Sequence, residues 1–125
     1  MFQNLDVFRT AMALAQHSGK QQALSAQNIA NADTPHYRAV GLPDFDQTVR
    51  DGMMDQRATR ESHLNGQQDG TLPEARERPD TVDPNGNSVS IETEMVSAVD
   101  AARAHNRALS IYRSNLNILR ASLGR

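Results

Sequence analysis

The chain has 125 residues and a lean composition, with 38% hydrophobic residues, 4% aromatic residues and no Trp. This is the length of one domain, and so few large side chains favour a helical hairpin or an assembly subunit over a compact enzyme. The net charge of −2 lacks the basic excess of nucleic-acid-binding proteins, so we expect no nucleic-acid partner. The absence of cysteine excludes disulfides, thiol nucleophiles and thiolate metal sites.

The distribution of proline divides the chain into three segments, because all five prolines lie between residues 35 and 84. Proline is strongly excluded from helix interiors. We therefore predict an N-terminal helix (1–33), an irregular middle (34–89) and a C-terminal helix (90–125). The apolar side chains concentrate in the two end segments, which predicts an all-α fold.

Apolar residues recur at helical spacing in the N-terminal segment, among them Phe8, Met12, Ala15 and Ile29. Small residues are frequent there and would let helices approach closely. Gly19 costs roughly 1 kcal/mol relative to Ala in a helix interior. Two interpretations of Gly19 stay open, a kink of the helix or a point of close contact with a neighbouring helix.

The middle segment is polar and charged, with six Arg and ten acidic residues between 34 and 89. A segment so poor in apolar side chains cannot easily offset its own ordering entropy. We predict a loop that is ordered only by its neighbours, with room for a short hairpin. The clusters at 39–42 and 43–45 are candidates for small strands or loops, and His36 and His63 fall in loops.

The C-terminal segment carries an unbroken heptad stripe. Its steps alternate between four and three residues, which indicates an a/d seam that buries one narrow face against another helix. The stripe consists of Ile91, Met95, Ala98, Ala102, His105, Leu109, Tyr112, Leu116, Leu119 and Leu123. We expect the polar member, His105, either to set the register of the helix pair or to be partly exposed where the seam opens.

The C-terminal helix is expected to begin at Ser90, a good N-cap residue. Acidic residues occupy its first turns and only arginines follow Asp100, so the charge order matches the helix macrodipole. A helix over 91–123 would be about 50 Å long. Such a helix is too long to be buried within a monomer of this size.

The segment Asp83-Pro84-Asn85-Gly86-Asn87, taken with Glu94, places oxygen atoms at the spacing of a calcium-binding loop. The pattern is broken by Pro84 at the second position and by Ser88 where the loop requires Gly. A Pro-Asn-Gly turn that leads into the N-cap Ser90 explains each residue by turn chemistry. A calcium-responsive switch is kept as an alternative.

The sequence contains no GxSxG, P-loop, GxGxxG or HExxH motif, and its four histidines lack metal-ligand spacing. We therefore expect no enzyme activity, no cofactor, no metal and no small-molecule substrate. No apolar run approaches the ~20 residues that cross a bilayer. The stretch from Met1 to Thr10 has neither a basic n-region nor an apolar h-region, so we expect no Sec-type signal peptide.

The first helix is expected to end in a specific turn within residues 28–39. Thr34-Pro35 cannot continue a helix, because the residue before proline is pushed towards extended geometry. Asn28 and Asn31 can bond the final carbonyls or nearby amides, and Tyr37 can pack back onto the helix end.

Ser25 to Ala39 (SAQNIANADTPHYRA) resembles the pattern ANIANxxTPGYK that closes the first helix of the axial proteins of the bacterial flagellum. His36 stands where that family usually has Gly, and Arg38 where it has Lys. Val82 to Met95 (VDPNGNSVSIETEM) is similar to the junction DGNxVxxExEM before the last helix of proximal-rod members. The chain length also fits the small proximal-rod members, and only residues 45–80 lack a resemblance.

This resemblance implies a structural subunit of the periplasmic rod, the hollow drive shaft that transmits motor torque. The terminal helices would pair as an antiparallel coiled coil, and such pairs would pack side by side around a central channel. The implied partners are copies of the chain, other flagellar rod proteins, and the adaptor protein and membrane ring at the rod base. The flagellar type III export apparatus would export the chain without a cleaved signal peptide.

The expected intramolecular seam joins one set of residues on each helix, Phe8, Met12, Ala15 and Ile29 against Met95, Leu109, Tyr112, Leu116 and Leu119. The helix-exit motif comprises Asn28, Asn31, Thr34, Pro35 and Tyr37, and the second junction comprises Asp83, Pro84, Asn85, Gly86 and Ser90. Residues 1–10 and 113–125 are expected to touch neighbouring subunits. The arginines of the last helix either pair with neighbours, line the channel or are solvated. The alternative from a different class is a soluble cytoplasmic coiled-coil adaptor or export chaperone.

Overall fold

A computed structural model describes residues 2–54 and 73–124 of the chain. The elements in chain order are α1 (Phe2–Ala30), β1 (Val40–Gly41), α2 (Phe45–Met54), β2 (Arg76–Glu77) and α3 (Ile91–Ser122). The two long helices α1 and α3 pack together, which confirms the predicted all-α helix pair. The predictions for His63 and for the rest of 55–72 lie outside the described residues, as do Met1 and Arg125.

Helices α1 and α3 run antiparallel in a coiled-coil-like pair. The ring of Phe8 meets the ring of Tyr112 edge-on, with 5.1 Å between the centroids. Further along the pair, His105 Nδ1 donates to the carbonyl oxygen of Ala15 at 3.0 Å. Residue numbers therefore increase along α1 in the direction in which they decrease along α3, as in an antiparallel pair. The bond to a main-chain carbonyl on the opposite helix supports the interpretation of His105 as a register residue.

The most buried residues of α3 lie one position before three members of the predicted stripe, Met95, Ala102 and Leu109. The fully buried residues of α3 are Glu94, Ala101 and Ala108, which are spaced by seven. Small alanines at this line let the helices approach closely, so the bulkier side chains lie on its flanks. The other half of the predicted stripe is half-buried as expected, at Ala98, His105, Tyr112 and Leu119.

Five residues of the predicted seam are exposed in the single chain, namely Met12, Ile29, Ile91, Met95 and Leu123. Met12, Ile29 and Met95 therefore lie outside the buried line of the pair, and their predicted intramolecular pairing stays a prediction. Ala15 is buried, and the remaining members are half-buried, namely Phe8, Leu109, Leu116 and Ala102. A role for the exposed residues against neighbouring subunits stays a prediction.

Gly19 lies within the continuous helix α1. A Cβ atom built at Gly19 would meet no atom within 4 Å. Within this chain the residue is therefore not a point of close contact between helices.

The described parts of the middle, 34–54 and 73–89, contain more structure than the sequence indicated. β1 pairs antiparallel with β2, with Val40 opposite Glu77 and Gly41 opposite Arg76, so the cluster at 39–42 does supply a small strand. Helix α2 was missed by the sequence analysis. Its first residue, Phe45, packs edge-on against a histidine of α1, which gives this helix an apolar anchor.

Candidate functional site

The two junctions predicted from the sequence meet at one end of the helix pair. The main-chain N–H of Ser88 donates to the carbonyl of Tyr37 at 3.1 Å. The N–H of Ala39 donates to Ser88 Oγ at 2.8 Å. The segment that leaves α1 and the segment that enters α3 therefore form one folded unit, which we call the junction (residues 28–41 and 78–94).

Asn87 closes the C-terminal end of α1. Its Nδ2 lies 2.9, 2.8 and 2.8 Å from the carbonyl oxygens of Asn31, Ala32 and Thr34. Its Oδ1 accepts from the N–H of Val89 at 2.7 Å, and the residue is only 1% exposed. The carbonyls at and just past a helix end have no partner within the helix, and this side chain supplies a donor there. The carbonyls of Asn31 and Thr34 also accept from the N–H groups of Thr34 and Tyr37. The sequence analysis had considered Asn87 only within the calcium pattern.

Asn28 fixes the start of β1 against α1. Its Nδ2 donates to the carbonyl of Val40 at 2.8 Å, while its Oδ1 accepts from the N–H of Val40 at 3.1 Å. The hydroxyl of Tyr37 also donates to Oδ1, at 3.2 Å. The Asn28 amide thus bonds the backbone of Val40 as a neighbouring strand would. These contacts confirm the predicted role of Asn28 and Tyr37 in the helix exit.

The other predicted exit residues act locally. Asn31 Nδ2 donates to the carbonyl of Gln27 at 2.8 Å, and Thr34 Oγ1 donates to Asn31 Oδ1 at 3.3 Å. Pro35 lies in the turn beyond α1. Together these residues end the helix within one turn of Ala30.

His36 adopts a positive φ of 60°, which residues other than glycine rarely take. Its N–H donates to the carbonyl of Asn85 at 3.2 Å. Gly86, with φ of 81°, lies beside the His36 ring, and a Cβ at Gly86 would overlap that ring. The N–H of Gly86 donates to the carbonyl of Asp83 at 2.8 Å, which confirms the predicted turn over 83–86.

Glu94 and Arg78 form an ion pair within the junction, in which Glu94 is buried and Arg78 is half-buried. Glu94 is fully buried, and its Oε1 accepts from the Arg78 guanidinium. Arg78 also donates to Asp80 from Nε, at 2.8 Å. Burial lowers the pKa of Arg78, but the hydrogen bonds and charges of Asp80 and Glu94 outweigh it and hold that pKa above the usual value. Among the described residues, Glu94 Oε2 has no hydrogen-bond partner.

No pattern in the sequence predicts this ion pair. The sequence predicts Glu94 as an acid that the helix dipole favours in the first turn and as a member of the calcium pattern, and Arg78 lies in the middle segment. The predicted N-cap is confirmed, because the N–H of Thr93 donates to Ser90 Oγ at 3.4 Å. Helix α3 begins one residue later, as expected.

An open groove of about 720 Å³ runs beside the junction, between α1, the start of α2 and the first half of α3. Its apolar lining includes Leu14, Leu42, Phe45, Val96, Ala101 and Ala104, and its acidic residues are Asp44, Glu92 and Asp100. A smaller groove of about 250 Å³ shares Leu14 and continues to Ile111. The two together follow one side of the helix pair.

Two polar side chains of α1 hold the wall of this groove in place. His17 Nε2 donates to the carbonyl of Pro43 at 2.9 Å, and its ring lies 5.5 Å from that of Phe45. Gln21 accepts from the N–H of Leu42 through Oε1 and donates to Ser97 through Nε2. The wall at 42–45 is therefore built onto α1. The sequence analysis did not identify either contact.

The described ranges 2–54 and 73–124 contain no cluster of three histidine or acidic side chains that could hold a metal ion. In these same ranges, no helix has the length and apolar character that a membrane span requires.

No protein-family model matches the chain, and no curated protein matches it either.

Proposed function

We propose that the chain is a structural subunit of the bacterial flagellar rod, a helix-pair strut that packs beside its neighbours and transmits motor torque. The observation that carries this proposal is the junction. The two segments that resemble flagellar axial proteins, 25–39 and 82–95, lie at opposite ends of the irregular middle in sequence. In the structure they bond each other directly, through Asn87, Ser88 and His36.

The conformation of His36 adds support. The resemblance places glycine at this position in most members, and glycine is the residue that adopts positive φ without strain. The chain turns there with φ of 60° although the residue is histidine. A positive φ at the position where the resemblance places glycine supports the proposal.

The surface of the helix pair also favours assembly. Several large apolar side chains are exposed on α3, with Met95 at 59%, Val96 at 63% and Ile118 at 56%. Exposed apolar surface of this kind marks interaction sites when it is contiguous. The 32 residues of α3 form a rod about 48 Å long, which offers a long side for neighbours.

Within the rod, we assign the chain to the small proximal members, of the rod protein B type. This assignment rests on the resemblance of the second junction, Val82 to Met95, to proximal-rod members. Its partners are then copies of the chain, other rod proteins, and the adaptor protein and membrane ring at the rod base. Its route to the periplasm is the flagellar type III export apparatus.

The test combines location with one seam substitution. A tagged chain in its own bacterium should be recovered in purified basal bodies. Leu116→Asp places a charge in a half-buried seam position and should abolish swimming without lowering synthesis. Asn117→Asp, at the exposed neighbouring position, is the matched control and should leave swimming normal.

Normal swimming of the Leu116→Asp strain would refute the seam assignment. Recovery of the full-length chain only from the cytosol would favour the cytoplasmic adaptor or export chaperone instead.

A further inference from the structure

We propose that the groove beside the junction is a docking site for the second half of α3 of another copy of this chain, in a head-to-tail contact. The proposal rests on the proposed function, because it assigns the surface through which subunits of the rod bind one another. Two surfaces support it, the groove itself and the exposed side of the second half of α3.

The first surface is the groove itself, which is apolar inside and acidic at its edge. Val96 is 63% exposed although it lines the groove, and Phe45 and Leu14 lie across from it. Asp44, Glu92 and Asp100 supply negative charge, and none of the described residues that line the groove is lysine or arginine. The groove therefore fits an apolar helix face that carries positive charge.

The second surface is the second half of α3, which is both apolar and positively charged. Beyond Asp100, α3 contains no acidic residue, and its charged residues are all arginines. Arg107, Ile111 and Ile118 are separated by four and seven residues, so they lie on one side of the helix. Ile111 is 38% exposed and Ile118 is 56% exposed, so this side offers apolar groups beside a cation.

The charges decide which occupant fits. Asp100 has one ion-pair partner among the described residues, Arg103 one turn on, at 3.7 Å with both side chains largely exposed. A pair so exposed contributes little and can exchange for an arginine of another copy. The middle segment 55–72 is a poorer occupant, because its apolar residues are only Ala58, Leu64 and Leu72 and it carries both charge signs.

We assign the contact as head-to-tail and not as a reciprocal two-fold dimer, because a rod requires a contact that repeats. In the head-to-tail arrangement, the groove of one copy binds the α3 end of the next. A copy whose groove is filled still presents its own α3 end to the groove of the next copy. Such a heterologous contact repeats along a ring or a filament, as a rod requires.

The first test uses charge reversal in the purified full-length chain. Asp100→Arg changes the groove and Arg107→Glu changes the occupant, and both positions are exposed. Sedimentation velocity of the native chain should show association beyond the dimer, and each reversal should weaken it at least tenfold. Arg113→Glu is the matched control, because Arg113 is exposed and lies about 200° around the helix from Ile111. It should leave association within twofold of native.

Mixing the two reversal variants makes the test specific. The Arg107→Glu copy keeps a native groove and the Asp100→Arg copy keeps a native helix end, so the mixture should associate more strongly than either variant alone. The two reversed positions are also opposite in charge, so the mixture should grow beyond the 1:1 complex. The proposal is overturned if the native chain stays monomeric or stops at a dimer. It is also overturned if the control behaves like the reversals, or if the mixture associates no better than either variant alone.

A cross-linking experiment reports proximity independently of affinity. The chain has no cysteine, so two single-cysteine variants can be mixed without background. Val96→Cys in one copy and Ile118→Cys in the other should be joined by a short bis-maleimide. Met95→Cys is the matched control, because Met95 is 59% exposed against 63% for Val96 but does not line the groove.

Val96→Cys should give at least five times the cross-linked dimer of Met95→Cys, and equal yields would contradict the proposal. If the chain cross-links through Val96 but is absent from basal bodies, the result contradicts the proposed function and supports this contact. If the chain is present in basal bodies but fails both the charge-reversal and the cross-linking tests, the result contradicts the contact and supports the proposed function.

Discussion

The two ends of the helix pair are stabilised by different kinds of interaction. At the junction, the largest fully buried side chains are polar, and Asn28, Asn87 and Glu94 all make hydrogen bonds there. Towards the other end, the contact consists of small residues and of the edge-on pair of Phe8 with Tyr112. One end is specified by directional bonds and the other by apolar packing.

Because of this difference, one part of the pair can set the alignment of the two helices while another part stays available for contacts with neighbouring subunits. A slip of the helices by one residue would leave several buried polar groups of the junction unpaired, at about 1–3 kcal/mol for each. Apolar contacts tolerate such a slip better, because they lack direction. The junction can therefore fix how the helices align, while the rest of the pair keeps apolar side chains exposed for neighbours.

The largest effect is expected at Asn87. Asn87→Ala removes the side-chain donor to the carbonyl of Ala32 and the acceptor for the N–H of Val89, and should lower the free energy of unfolding by about 3 kcal/mol. Urea unfolding followed by circular dichroism measures this value. Asn117→Ala, at an exposed position of α3, should change it by less than about 0.5 kcal/mol. Equal effects of the two substitutions would remove the distinction between the two ends.

The ion pair of the junction should come next. Glu94→Ala should cost about 2 kcal/mol, less than a fully buried pair, because Arg78 is partly exposed and keeps Asp80. A double-mutant cycle with Arg78→Met isolates the coupling between the two side chains. Removing the exposed partner Asp100 of Arg103 by Asp100→Ala should cost less than about 0.5 kcal/mol. A coupling near zero for Glu94 with Arg78 would contradict the account.

The aromatic pair should contribute less. Tyr112→Leu keeps apolar volume but removes the edge-on contact with Phe8, so the free energy of unfolding should fall by about 1 kcal/mol. The exposed position Ser114 provides the control, and Ser114→Ala should have no measurable effect. A loss as large as that of Asn87→Ala would show that apolar packing specifies the pair as strongly as the junction does.

The same substitution made at two glycines should give effects of similar size to that of Tyr112→Leu but of opposite sign to each other. Gly19→Ala should stabilise the isolated chain by about 1 kcal/mol, since nothing lies within 4 Å of the added Cβ and alanine favours the helix. Gly41→Ala should destabilise it, because the Cβ would lie 2.9 Å from Arg78 Cδ in the junction. Thermal unfolding of both variants checks the opposite signs, and equal signs would be inconsistent with the described packing.

Sequence reasoning found what depends on local chemistry. The proline-free ends marked the two long helices, Ser90 marked the start of α3, and Asn28 with Tyr37 marked the helix exit. Each of these features is set by residues close together in the chain. The segment 45–54 had a local signal too, because Phe45 and Val49 are spaced as on one side of a helix after the N-cap candidate Asp44. The low overall apolar content of the middle hid that signal.

Features that depend on distant partners were not predicted. Asn87 bonds carbonyls more than 50 residues earlier in the chain, and nothing around it indicates that contact. Glu94 takes a position in the buried line that apolar periodicity reserves for hydrophobic residues, because Arg78 neutralises it there. The predicted stripe accordingly preferred Met95 to Glu94 and was shifted by one residue on that side of α3.

A density map of purified basal bodies, resolved to side chains, tests the account most directly. The account predicts repeated copies of this chain in the rod, each with α1 and α3 paired antiparallel and with Asn87 against the end of α1. It also predicts α3 of a neighbouring copy in the groove lined by Val96. Copies whose terminal helices are splayed apart, or a rod without this chain, would contradict it.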